Sequence, residues 1–281
     1  MSDATPQQKS AIVNGVRLNY FDWGTEGKPP LLCIHGHTAQ AHMWDEFAAA
    51  MAPHYHVYAI DQRGHGQSQW ASDGYSRDRF VADTGAFIDA LGLAKVVIVG
   101  HSMGGWNAML YAPDHADRVE RVILVDIAPE PSEETRQQWL VRPPTPLQFD
   151  SFDAAVAWGR SNDPWVAEAR LRRDMADRLR QRDDGQWVWV ADPALFNQTM
   201  PDQRDEAVIA HYWRCLAAIA CPVLLVRGKG SILVSDDIVE RMRQANPRLS
   251  AIDVADAGHV VPVDQPTAFI AAAAVFLGLP I

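Results

Sequence analysis

Short, almost wholly apolar runs recur along the chain at 31–34, 56–60, 96–99, 121–125, 223–226 and 250–254, most of them followed by glycine, aspartate or histidine. Runs of this kind read as strands buried on both faces, the signature of a mainly parallel sheet. Helix-like stretches separate them, and this alternation predicts the α/β class. The start of the chain differs. Segments 11–13 and 16–22 flank Asn14-Gly15, a dipeptide suited to a hairpin turn because both positions need positive φ. The pattern predicts about eight strands in total.

Between 129 and 217 the pattern changes. This stretch holds Trp139, Trp158, Trp165, Trp187, Trp189 and Trp213 with many arginines, and its periodicity is helical in places, as over 165–182. The expectation is a helical cap at 130–216, inserted after the sixth strand of a core built from 1–129 and 217–281. Its tryptophans, Trp189 among them, would shape a concave, mostly apolar pocket. The apolar stretch 268–281 reads as a last buried helix, too short to span a bilayer.

A length of 281 residues allows one large domain or one domain with an insertion. Hydrophobic residues make up 48%, which is enough for a sizeable core. The formal net charge of −10 comes without any basic run. The electrostatic footprint of a nucleic-acid binder is therefore absent, and the acidity is read as solubility. Cys33, Cys215 and Cys221 are odd in number and follow no metal-like spacing, so neither a metal site nor a disulfide is implied. The first ten residues are polar and carry no apolar signal core, so a cytoplasmic protein is expected. Asp61-Gln62-Arg63-Gly64-His65-Gly66 contains glycines but neither phosphate-loop spacing, and no cofactor is expected.

The central motif is Gly100-His101-Ser102-Met103-Gly104, placed between a predicted strand and a helix-like stretch. Gly-x-Ser-x-Gly in this context puts the serine on a tight, strained turn where flanking side chains would collide. The helix start aims free N–H groups at the same place. A serine hydroxyl needs a base to act as a nucleophile. Of ten histidines, His259 fits best, because it follows the last predicted strand and is the only one beyond His211. His35, His37, His65 and His101 fall in strand-end loops and are assigned to shaping and hydrogen bonding. The loop His35-Gly36-His37-Thr38 would supply one oxyanion-binding amide from His37, and the residue after the serine a second, from Met103.

Gly100–Gly105, His35-Gly36, the run from Asp61 to Ser68, and Gly258-His259 with Asp264-Gln265-Pro266 together resemble the α/β-hydrolase superfamily over almost the whole chain. The resemblance implies the α/β-hydrolase fold with an eight-stranded, mostly parallel sheet. It also implies a serine–histidine–acid triad. Most members carry the acid after the seventh strand as Gly-x-x-Asp, but here that stretch reads Gly228-Lys229-Gly230-Ser231. Some branches move the acid to the sixth strand, and Asp126, which ends that strand, is preferred. Asp236 and Asp237 compete, although both also suit a helix N-terminus. The run from Arg227 to Ser235, taken with Asp126, resembles the acylaminomethylene-succinate hydrolases of vitamin B6 degradation. That likeness makes Arg142 and Arg160 candidates for gripping a carboxylate.

The expected activity is hydrolysis of a small-molecule ester, lactone or activated amide through an acyl-enzyme, without metal or cofactor. The expected partner is the substrate, with neither nucleic acid nor membrane, and a homo-oligomer stays open. Two alternatives also stay open: hydrolysis of a carbon–carbon bond in ring-cleavage products, and a small-molecule receptor built on the same fold. Serine at 102 argues against the haloalkane dehalogenases, which resemble this fold but use an aspartate nucleophile.

Overall fold

The computed structural model describes residues 5–24, 26–196 and 205–280. Its strands in chain order are β1 (Gln7–Val13), β2 (Val16–Trp23), β3 (Pro30–Ile34), β4 (His56–Ile60), β5 (Val96–His101), β6 (Val119–Val125), β7 (Gln148–Phe149), β8 (Leu179–Gln181), β9 (Trp187–Trp189), β10 (Val223–Gly228) and β11 (Leu249–Val254). Eight of them form one sheet in the order β1-β2-β4-β3-β5-β6-β10-β11. Only β2 runs against its neighbours; every pair from β4 to β11 is parallel. The Asn14-Gly15 turn closes the β1–β2 hairpin with φ of 49° and 77°. Strand β1 begins earlier than predicted because Gln7–Ser10 lie exposed at the sheet edge, where pairing needs no apolar signal.

Alternate residues of each central strand feed opposite layers, as the two-residue period of a strand requires. Leu32 and Ile34 join one cluster with Phe87 of α2 (Arg77–Ala90) and Met109 of α3 (Met103–Tyr111). Leu31 and Cys33 join the other, which holds Phe47 of α1 (Asp45–Met51) and Phe269. The apolar C-terminal stretch is the helix Pro266–Leu277, and its Phe269 is fully buried. All three cysteines are free thiols. Among the described residues no helix is long and apolar enough to cross a membrane.

The segment between β6 and β10 is not wholly helical. Helices α4 (Glu133–Val141), α5 (Phe152–Asn162), α6 (Glu168–Arg178) and α7 (Glu206–Ala218) are joined by a small antiparallel sheet, β7-β9-β8. The helix predicted over 165–182 is confined to α6, and the chain then turns directly into β8. Strands of two or three residues are too short to show a period, so the sequence pattern does not reveal them. Trp189 sits at the centre of this insert, 3% exposed, packed against Phe149, Trp158 and Phe196.

Candidate active site

Ser102 links β5 to α3 at φ 50°, ψ −117°, a backbone conformation rarely adopted outside glycine. The turn is possible because its neighbours lack side chains. A Cβ on Gly100 would stand 2.4 Å from the Gly104 carbonyl oxygen, and one on Gly104 would stand 2.2 Å from that of Ile34. The Ser102 amide donates to Val125 O at 3.1 Å, so the serine lies directly beside the end of β6.

Asp126, the next residue after β6, is fully buried and also has a positive φ, 47°. Its Oδ2 lies 2.7 Å from His259 Nδ1. A carboxylate can only accept, so Nδ1 donates and Nε2 is left as the imidazole's acceptor. Ser231 occupies the position after β10 where most relatives of this fold carry the acid, and its hydroxyl donates to the same Oδ2 at 2.6 Å. The Gly228 amide donates to Oδ1 at 3.3 Å. The structure thus brings Asp126, and neither competitor, to the histidine. Asp236 pairs with Arg227 at 2.6 Å, and both Asp236 and Asp237 charge the first turn of helix Asp236–Ala245.

His259 is also held from its backbone, where its carbonyl accepts from His101 Nε2 at 2.9 Å and the two rings lie 4.6 Å apart. His101 directly precedes the serine. Neither Ser102 Oγ nor His259 Nε2 makes a hydrogen bond among the described residues. The serine hydroxyl is free to turn about a single bond, and catalytic contacts of this kind commonly tighten only when substrate binds.

The loop after β3 lies against the serine: a Cβ on Gly36 would stand 3.0 Å from Ser102 Cβ. His65 fixes this loop, its Nε2 accepting from Thr38 N at 3.2 Å while its Nδ1 donates to Arg63 O at 2.9 Å. Arg63 is in turn buried and forked onto Asp83. Asp61 accepts from the amides of Ala41 and Gln67, and a Cβ on Gly66 would strike its carboxylate. The glycine-rich run after β4 is therefore a knot that holds the loop carrying His37. Among the described residues the amides of His37 and Met103 have no backbone acceptor outside the regular elements. Burial keeps the surrounding imidazoles neutral. It lowers His35 and His37 to about 4 and moves His65 and His101 well below the ordinary value.

The arginines proposed to grip a carboxylate are placed differently. Arg160 donates to the carbonyls of Asp163, Pro164 and Val166 and pairs with Glu168, so its fork is filled by its own turn. Arg142 is exposed and donates to Asn162. Trp189 is core of the insert and donates to Pro146 O. Trp165, expected only as one of the insert's pocket-shaping tryptophans, lies directly against the site. Its ring lies over Gly230 and Gly258, where a Cβ would come within 2.1 and 2.5 Å of it, beside Ser231 and His259. Two glycines flanking candidate site residues were the available signal. No group of three or more metal-ligating side chains is poised for an ion among the described residues.

A mostly parallel sheet, a strained serine between strand and helix, and a carboxylate-held histidine define a hydrolase of the α/β type. The chain belongs to the alpha/beta hydrolase fold family, whose model matches residues 29–266. It is 32% identical to N-formylmaleamate deformylase of Pseudomonas putida over 271 residues, which cover 95% of each chain. It is 29% identical to the 3-hydroxybutyrate-oligomer hydrolase of Cupriavidus necator over 276 residues, 93% of each. The crystal structure of E-2-(acetamidomethylene)succinate hydrolase superposes with a TM-score of 0.86 at 24% identity, covering 98% of this chain and all of that one.

Proposed function

We propose that this enzyme hydrolyses a small-molecule carboxylic ester, lactone or activated amide through an acyl-enzyme formed on Ser102. The observation that carries this reading is the 2.7 Å contact between buried Asp126 and His259 Nδ1, beside a serine at positive φ. His259 Nε2 takes the proton as Ser102 Oγ attacks the carbonyl, and the amides of His37 and Met103 receive the oxyanion. The protonated imidazole, stabilised by Asp126, gives its proton to the leaving alcohol or amine. Water then enters, loses a proton to His259 and attacks the acyl carbon, and His259 returns that proton to Ser102 Oγ as the acid leaves.

Two bond types are supported by the relatives, one named as an oligomer hydrolase and one as a deformylase. The insert would roof the site as a cap. Leu195 O accepts from His37 Nε2 at 3.0 Å, and Arg178 Nε donates to Thr38 O at 3.1 Å, so it holds the oxyanion loop from above. The test is a nitrophenyl ester assay with intact-mass detection of a fluorophosphonate adduct. Wild type is expected to turn over and label once, and Ser102→Ala to do neither while keeping its melting temperature. Turnover by the alanine variant would overturn the proposal.

A further inference from the structure

Ser231 stands where the commoner arrangement of this fold carries a carboxylate, and its hydroxyl lies 2.6 Å from the oxygen of Asp126 that also meets His259. We propose that Ser231 is a positioning residue, a hydroxyl that holds the Asp126 carboxylate in register for His259 and sets how strongly that carboxylate supports the imidazolium. This rests on the acyl-enzyme reading above.

The hydroxyl's direction is fixed. Ser231 Oγ accepts from the Leu233 amide at 3.2 Å, which leaves its proton for Asp126. The Ser231 amide is itself tied to Gly228 O at 3.0 Å, and the Gly230 amide to Ala257 O at 2.8 Å, so the turn is anchored at both ends. The other side of Ser231 lines an open cleft of about 680 Å³ with Arg227, Lys229 and Glu130. Asp126 is nevertheless wholly buried. Ser231 thus touches both that cleft and the buried acid. It also supplies the shortest of the two non-histidine hydrogen bonds that the carboxylate receives, the Gly228 amide being 3.3 Å away.

Electrostatics gives the direction of the effect. A donated hydrogen bond stabilises the carboxylate and lowers its pull on the neighbouring proton. Removing the hydroxyl should leave a more basic Asp126 and a more readily protonated His259. The experiment compares Ser231→Ala and Ser231→Thr with wild type, following His259 by imidazole nitrogen-15 NMR titration and hydrolysis of a nitrophenyl ester across pH. For Ser231→Ala, the His259 titration is expected to move to higher pH, with the acid limb of kcat/KM moving the same way. A fall in kcat of about tenfold at little change in KM should accompany it. Threonine, which keeps a hydroxyl, should return both toward wild type. A His259 titration unmoved in Ser231→Ala would overturn the proposal, whatever happened to the rate. The titration needs no turnover, so it answers separately from any failure of the acyl-enzyme reading.

Discussion

His259 Nδ1 and Asp126 Oδ2 meet at 2.7 Å across a separation of 133 residues. The contact joins the turn after β6 to the loop after β11, two strands that do not pair with each other but both flank β10. A carboxylate in this position holds the imidazole in one tautomer and stabilises its cation. Asp126→Asn keeps the shape and removes the charge. It should lower kcat by about 10²–10⁴-fold, whereas Asp236→Asn, which only loosens Arg227, should leave activity within about twofold. A crippled Asp236 variant beside a mild Asp126 variant would show the acid to be misassigned.

Arg160 gives a prediction about stability rather than substrate charge. Three carbonyl acceptors and Glu168 engage its guanidinium. Removing the side chain leaves those carbonyls in need of water and frees the turn that carries Trp165. Arg160→Ala should lower stability by about 1–2 kcal/mol in urea titration. Its effects on KM should be alike for neutral and anionic esters. A selective rise in KM for the anionic ester would restore the carboxylate grip.

Asp264 makes stability depend on pH. Its Oδ2 accepts from the Gly258 amide at 2.8 Å. Burial, with the Asp163 carboxylate beside it, raises its pKa from 3.8 to about 8. Folding therefore favours the protonated form. Relative to low pH, stability falls as the solution rises from about 4 to about 8, because the unfolded chain ionises this group first. Asp264→Asn keeps an acceptor for Gly258 and removes the titration. The melting temperatures of wild type and variant should differ least near pH 4, and the variant should gain progressively up to pH 8. A difference that is constant over this range would count against the assignment.

Gly104 tests the serine turn itself. An added Cβ would meet the Ile34 and His35 carbonyls, both backbone atoms that cannot rotate away. Gly104→Ala should cost at least about 1–3 kcal/mol and distort the turn. Gly185→Ala is the control. Unlike Gly104 it has a positive φ, 86°, and it faces open space, so only the backbone strain should show. Paired chemical denaturation of the two variants reads the difference.

Much of the core was legible in the sequence because burial on both faces leaves a local mark. The runs at 31–34, 96–99 and 223–226 lie within β3, β5 and β10, and Asn14-Gly15 declared its hairpin. Ser102, with its flanking glycines, was readable because a tight turn tolerates few residue types. The insert was read less well. Its three strands are too short for any period, and its tryptophans signal packing without saying whether they line a pocket or fill a core. Trp189 fills the core.

Asp126 marks where local information ends. Sequence alone placed an aspartate at the end of a strand and a serine where an acid was expected. It left Asp236 and Asp237 as rivals, because all four positions follow β6 or β10 near one sheet edge. The parallel order β6-β10-β11 decided among them by bringing residues 126, 231 and 259 together, while Arg227 holds Asp236 away from the site. Which residue types occur, and at what spacing, is written along the chain. Which of them touch depends on strand order, and strand order is set by the packing of the whole sheet.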